Sequence, residues 1–304
     1  MDELRQACAA VTAQARSVTV VAAGVSGYAA VLAAEAGRAG TEPPPVDAAE
    51  RETRAAYWLT MDAINFGSGW FPTLRKREGL SGYGTIAAAL GERFTHSGRW
   101  SAGELERMDA AALGPVLGQD PGHELMALYA ASLRDLGAHV GADHGGSFAA
   151  VADAAGSAVG LARRLGTWAS FADRSRYGAL EVPFLKRAQI AAADLHRAGV
   201  AAFADLARLT MFADNLVPHV LRLDGILRFA PELVARITRG ELIEHGSAEE
   251  VEIRAGGVHA VELLVAASPD PCPTAAQLDQ ILWQRGQQPR YKAVARHRSR
   301  CTAY

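Results

Sequence analysis

The sequence predicts an all-α protein, and three observations carry that prediction. Hydrophobic residues make up 49% of the 304-residue chain, and much of that share is alanine, the strongest helix former. No long run of β-branched residues alternates at the period of two that a half-buried strand requires. Apolar residues return instead at helical spacing, as in Leu185, Ala188, Ala192 and Leu195. With no internal repeat and no low-complexity linker, the expected organisation is one domain over residues 1–304.

The elements follow in order from their punctuation. Residues Ser17 to Ala34 carry no charge but include serines, glycines and a tyrosine, too weakly apolar to span a bilayer; they read as a buried helix. Gly40-Thr41-Glu42-Pro43-Pro44-Pro45 is a loop, because three prolines cannot continue a helix. A helix is expected from about Ala48 to Phe66, ended by Gly67-Ser68-Gly69. Ser101 with Glu104 reads as a capping box, and so does Ser247 with Glu250. Helices are expected near His123–Leu136 and Phe148–Leu165, separated by Gly145-Gly146-Ser147. Another should run from about Phe184 to Arg197, with Gly199 just past its end. Pro218 and Pro231 suit the first turns of two more, the former with Leu216, Val220, Leu223 and Leu227 inward. Ser247 opens a helical stretch to about Val265, in which Gly256-Gly257 is a potential interruption.

Composition excludes several functions. The net charge of −2 supplies no broad positive field for a nucleic-acid backbone, so any anion must be held by a few placed cations. The three cysteines, Cys8, Cys272 and Cys301, are dispersed and form no CxxC pair; neither a disulfide framework nor a structural zinc site is expected, and a reducing cytoplasm fits. The acidic Met1-Asp2-Glu3 start is unlike a secretory signal. No P-loop, GxSxG elbow or HExxH helix is present. No cofactor, membrane or obligate protein partner is implied.

Four clusters and a tail remain as candidates for chemistry. Trp58, Asp62 and Asn65 fall at i, i+4 and i+7 on one helix face, followed by the aromatic, glycine-rich Phe66-Gly67-Ser68-Gly69-Trp70-Phe71, which suits a wall for a flat ring. On spacing alone Asp62 reads first as a structural aspartate capping a neighbouring helix. Lys186, Arg187, Gln189 and Asp194 crowd one segment; a solvated polar face is their ordinary reading. Asp214 sits just before the Pro218 helix; Asp214 or Asn215 suits its N-cap, and Asp214 reads as cap, as catalyst, or as both. A carboxylate at a helix mouth stays ionised, because exposed amides and the helix dipole stabilise its charge. Glu250 and Arg254 should pair at i, i+4, while Glu252, His259 and Glu262 could imitate a metal site but read better as a polar network. The basic stretch from Arg285 to Arg300 is of a kind usually solvated, yet its apolar ending could pack it down and bring cations to a phosphate.

Taken together these runs resemble the queuosine salvage protein family, the queuosine 5′-monophosphate N-glycosylases. The matching stretches are Leu59 to Pro72, Ser81-Gly82-Tyr83, Phe184 to Ile190 with Asp194, Leu209 to Asp214, Glu249 to Arg254, Leu278-Asp279 with Leu282-Trp283, and His297 to Cys301 with Tyr304. They span nearly the whole chain in order. The resemblance implies a compact helical fold similar to helix-hairpin-helix DNA glycosylases and a metal-free hydrolysis that releases queuine and ribose 5-phosphate. It places the catalytic aspartate on Asp214 and pocket positions on Lys186, Phe212 and Asp279. Asp62, Asn65, His297 and Arg298 join them as candidate substrate contacts. The chain departs from the family at Asn215-Leu216, where an aromatic-basic pair is usual, at His219, where glutamine is frequent, and around Thr41–Pro45, where some relatives carry a histidine. Two other functions compete: a non-catalytic carrier of queuine or its nucleotide, which would not need Asp214, and, on fold analogy alone, a DNA glycosylase, against which the net charge counts.

Overall fold

The computed structural model describes residues 1–36 and 47–304; the proline-rich stretch from Gly40 to Pro45 lies outside them. The helices are α1 (Asp2–Gln14), α2 (Ala22–Ala36), α3 (Ala48–Ala63), α4 (Gly82–Ser97), α5 (Ala102–Glu106), α6 (Ala110–Val116), α7 (Glu124–His144) and α8 (Phe148–Asp153). They continue with α9 (Ala158–Leu165), α10 (Lys186–Arg197), α11 (Val217–Leu223), α12 (Pro231–Thr238), α13 (Ala248–Ala266), α14 (Ala275–Arg285) and α15 (Pro289–Lys292). Helix accounts for 60% of the structure and strand for 4%, so the all-α prediction holds. The strands form two small antiparallel ribbons: β1 (Val18–Val20) with β4 (Leu227–Phe229), and β2 (Ser175–Tyr177) with β3 (Leu180–Val182).

Helix α13 is the axis of one half. It packs against α1, α2, α11 and α14 and is buried on nearly every side, including Glu250, Glu252 and Arg254. Its apolar residues Val251, Ile253, Val258, Val261 and Leu264 are fully buried, and each such side chain contributes about 1.5–3 kcal/mol of transfer free energy. Gly256-Gly257 does not interrupt it. A Cβ at Gly257 would lie 2.9 Å from the Pro218 ring and 3.1 Å from the Met211 methyl, so the missing side chain lets the segment carrying Asp214 lie close to the helix. In the other half, α10 packs on α3 and α9, and α3 on α7 and α8. Buried apolar residues from Met1 to Tyr291 form one continuous core.

Several boundaries differ from expectation. Helix α3 ends at Ala63 rather than Phe66, because the Arg187 guanidinium takes the Ala63 carbonyl at 2.6 Å and Asn65 and Phe66 turn away. The helix expected over Phe148–Leu165 is two, broken where Gly156 takes φ +66° and Ser157 caps α9. The stretch from Ser17 is not one buried helix: it opens with β1, and α2 buries only the line Val25, Ala29 and Leu32. Leu223 is exposed and Leu227 lies in β4, so the inward face of α11 is shorter than expected. Ser101 and Glu104 make the full capping box, whereas Ser247 caps α13 while Glu250 turns to the Gly246 amide.

Candidate active site

The two halves leave between them a cleft of about 1590 Å³. The stretch from Leu209 to Asn215, which carries Asp214, has no helical hydrogen bonds of its own and is pinned by other elements. Gln189 of α10 accepts from Thr210 N at 2.9 Å and donates to Thr210 Oγ1 at 3.0 Å. Asp279 of α14 accepts from Phe212 N at 2.9 Å. Arg254 of α13 donates Nε to the Ala213 carbonyl at 2.9 Å, and Asn215 donates to the His297 carbonyl at 3.0 Å. Four anchors of distant sequence origin therefore set where Asp214 stands.

The Asp214 carboxylate reaches the mouth of α11, where its Oδ1 accepts from Leu216 N at 2.8 Å and Val217 N at 3.0 Å. The N-cap position itself is Leu216, so Asp214 holds the helix mouth from two residues earlier, and it also lines the cleft. Lys186 and Asp279 line it too and both feel Asp214. Burial pushes the Lys186 ammonium below its ordinary value, an effect that the Asp214 charge opposes. Burial, reinforced by Asp214, pushes the Asp279 carboxyl well above the usual range. The site therefore pairs a carboxylate at a helix mouth with a neighbouring acid that resists ionisation.

Lys186 is held from behind. Its backbone amide donates to Asp173 Oδ2 at 2.9 Å, and the same carboxylate receives Arg254 Nη2 at 2.6 Å. Its Nζ donates to the Asn65 carbonyl at 3.1 Å. Leu185, just before it, sits in the left-handed region at φ +52°, an arrangement that costs a β-carbon-bearing residue of order 1–3 kcal/mol and persists only where the surroundings impose it. Arg254 is fully buried, with its guanidinium 3.9 Å from the centre of the Phe184 ring and 4.7 Å from that of Tyr304.

Six of the expected site residues face the cleft: Asn65, Lys186, Phe212, Asp214, Asp279 and Arg298. Two do not. Asp62 is fully buried behind the wall, near Asn65 Nδ2 at 3.4 Å. His297 is buried in the tail, packed toward Tyr304, and desolvation lowers its imidazole to about 3, so it offers the cleft no cation. The tail is extended here, so neighbours point to opposite sides: Arg296 and Arg298 face the cleft while His297 and Ser299 are buried. The basic stretch is exposed at Arg290, Lys292 and Arg300, but its end is packed down. Tyr304 is buried, its backbone oxygen accepts from Gly67 N at 3.1 Å, and a Cβ on Gly69 would strike the Ser299 carbonyl at 2.4 Å.

The solvated-face reading of α10 is likewise corrected, because Lys186, Arg187, Gln189 and Asp194 are all buried. Arg187 serves the end of α3 and lies against Phe66 and Phe171. In the aromatic run, Phe66 and Phe71 line the cleft, while Trp70 turns to Glu124. Glu252 caps the chain before β1, accepting from Arg16, Ser17 and Val18 amides at 3.1, 2.6 and 3.1 Å, and Glu262 pairs with Arg5 at 2.9 Å. Both are thus engaged structurally, and among the described residues no three His, Cys, Asp or Glu side chains gather as metal ligands would. Sequence reasoning missed Asp173, which no local spacing announces; Arg296 stood within the basic tail expected to bring cations to a phosphate but was not singled out as a contact.

The family model for queuosine salvage proteins matches residues 45–304. The chain belongs to the queuosine salvage protein family. A Sphaerobacter thermophilus protein named queuosine 5′-phosphate N-glycosylase/hydrolase is 37% identical over 271 residues, 84% of this chain and 82% of its own. Proteins of the same name from Mus musculus (33% over 150 residues, 44% of each chain) and Dictyostelium discoideum (38% over 135 residues, 42% of each) are similar over shorter stretches. The family match covers every candidate site residue from Asp62 to Arg298. No described helix is long and apolar enough to cross a membrane.

Proposed function

We propose that this protein hydrolyses the N-glycosidic bond of queuosine 5′-phosphate, releasing queuine and ribose 5-phosphate, with Asp214 at the reacting carbon. The observation that carries the reading is the Asp214 carboxylate, fixed by two amides of the α11 mouth and open to the cleft, in a chain of this family. Breaking the bond develops positive charge on the ribose, and a fixed carboxylate beside C1′ stabilises that charge or directs a water onto it. Because its orientation is set by Leu216 N and Val217 N, little reorganisation is required as the charge forms.

Queuine is a 7-deazaguanine, with carbon where a purine has N7, so the leaving base cannot be protonated there. Asp279 answers that difficulty. Burial and Asp214 push its carboxyl well above the usual range, which favours the protonated form that a donor to the departing base needs, while Oδ1 stays anchored on Phe212 N. Phe212 and Phe71 supply apolar faces for the flat ring. Arg296, Arg298 and Lys186, all of which line the cleft, offer cations to the 5′-phosphate, each charge-assisted hydrogen bond contributing about 1.5–3 kcal/mol. The substrate is thus a small nucleotide, with the cytoplasm as its expected compartment and Asp214, not a metal, as the centre of the reaction.

The deciding experiment is incubation with queuosine 5′-phosphate and detection of free queuine. Binding without release, unaffected by loss of Asp214, would instead make the protein a carrier.

A further inference from the structure

Away from Asp214, the cleft has a second acidic end. Along α10 the residues lining the cleft are Lys186, Ile190, Ala193, Asp194, His196 and Arg197, so Asp194 lies eight residues, about 12 Å, beyond Lys186. Asp194 is 5% exposed and lines the cleft. Arg197, itself half exposed, donates to its Oδ1; among the described residues no donor reaches Oδ2. Behind it stands Asp62, fully buried, whose Oδ2 has no hydrogen-bond partner. Burial raises both carboxyls, and in Asp62 the nearness of Asp194 is the next cause. Tyr83 and Trp58 both line the cleft, and the Tyr83 phenol is raised by burial first and by the two acids next.

An orphaned buried carboxyl oxygen is costly unless something satisfies it. Arg197 and Lys186 offset part of the charge of these two carboxyls, while Asp62 Oδ2 and Asp194 Oδ2 have no donor among the described residues. Aromatic faces beside that charge favour a cation over a water.

We propose that the Asp194 end of the cleft, backed by Asp62 and walled by Trp58 and Tyr83, is a subsite for an alkylammonium group carried by the ligand. The proposal rests on the nucleotide-hydrolase reading, in which the base bears a secondary amine on a side chain that is protonated at neutral pH. It gives that side chain a partner distinct from the Asp214 centre: the ammonium balances the acidic charge and donates to Asp194 Oδ2. Arg197 keeps Oδ1, so one acid serves both cations.

The test uses two nucleotides that share a ring and a phosphate, queuosine 5′-phosphate and 7-deazaguanosine 5′-phosphate, the second lacking the amine. Their Kd values are compared by calorimetry in an Asp214→Asn background, which prevents turnover, with and without Asp194→Asn. We expect the amine-bearing nucleotide to bind at least tenfold more tightly, and Asp194→Asn to reduce that preference about tenfold. Trp58→Leu should reduce it several-fold and replaces Asp194→Asn should the latter not fold. A preference absent at the outset, or unchanged by both substitutions, overturns the subsite, as does failure to bind either nucleotide. Release of queuine by the unmodified protein is a separate readout. If it fails while the Kd preference behaves as expected, the hydrolase reading falls and the ammonium subsite stands.

Discussion

Arg254 Nε donates 2.9 Å to the carbonyl of Ala213, the residue immediately before Asp214. The same guanidinium holds Asp173, which in turn holds the amide of Lys186. One buried cation on the central helix thus fixes the backbone of two residues that face the cleft from different elements. Its own charge is balanced by Asp173 and, at 3.6 Å, by Glu250.

Replacing Arg254 should therefore separate stability from positioning. Arg254→Met leaves two buried carboxylates without their cation, and removal of one partner of a buried pair costs about 3–5 kcal/mol, readable in urea unfolding. Arg254→Lys keeps the charge but loses the forked geometry that reaches Ala213 and Asp173 together. It should recover part of the stability while kcat falls tenfold or more and KM moves little. A lysine variant with normal kcat would leave Arg254 a stabilising residue only.

Asp214→Asn should keep the fold, since asparagine caps a helix as well as aspartate does. Its thermal midpoint should lie within a few degrees of the unmodified protein's. Base release should fall about a hundredfold or more, as with other lost contacts to a charged transition state. Normal turnover in this variant would remove Asp214 from the reaction.

The phosphate anchor can be located by comparing kcat/KM for queuosine 5′-phosphate and the free nucleoside. The nucleotide should be preferred at least a hundredfold. Arg296→Ala and Arg298→Ala should each cut that preference tenfold or more, Lys186→Ala likewise, and His297→Asn far less, because His297 is buried away from the cleft. Equal rates for nucleotide and nucleoside in the unmodified protein would exclude a phosphate anchor.

Stability should fall on both sides of neutrality. His245 is raised to about 10 by its neighbours Cys301 and Glu250, the latter with Oε1 3.4 Å from its Nδ1. A raised folded pKa means stability fully present below the unfolded value near 6.5 and lost as pH climbs through about 10. His297 and His219 are lowered by desolvation to about 3 and about 4, so the stability they contribute is present above 6.5 and lost as pH falls toward those values. Urea midpoints measured from pH 4 to pH 10 should trace this dome. His245→Gln should flatten the alkaline side alone; an unchanged alkaline limb would show that His245 does not titrate there.

Local chemistry was legible in the sequence wherever its partners lie within one helical turn. The Ser101–Glu104 capping box, the proline starts of α11 and α12 and the place of Asp214 at the mouth of α11 follow from spacing, because each needs only the i to i+4 geometry that every helix repeats. Family membership was legible too, since the motifs stand in order along the chain. What lay beyond reach was every decision made by packing. Whether Lys186, Arg187, Gln189 and Asp194 meet water or protein depends on α3 and α9 closing over α10, and no spacing within α10 encodes that. Arg254 was read only toward Glu250, four residues away, although its shorter contact is with Asp173, 81 residues distant. The turning of Arg296 and Arg298 toward the cleft and of His297 away from it was set when the tail docked against Gly67 and Gly69. Sequence fixes which groups are present and their local periodicity. Tertiary structure decides which are stripped of water, and desolvation is what shifts Lys186 and Asp279 from their ordinary states.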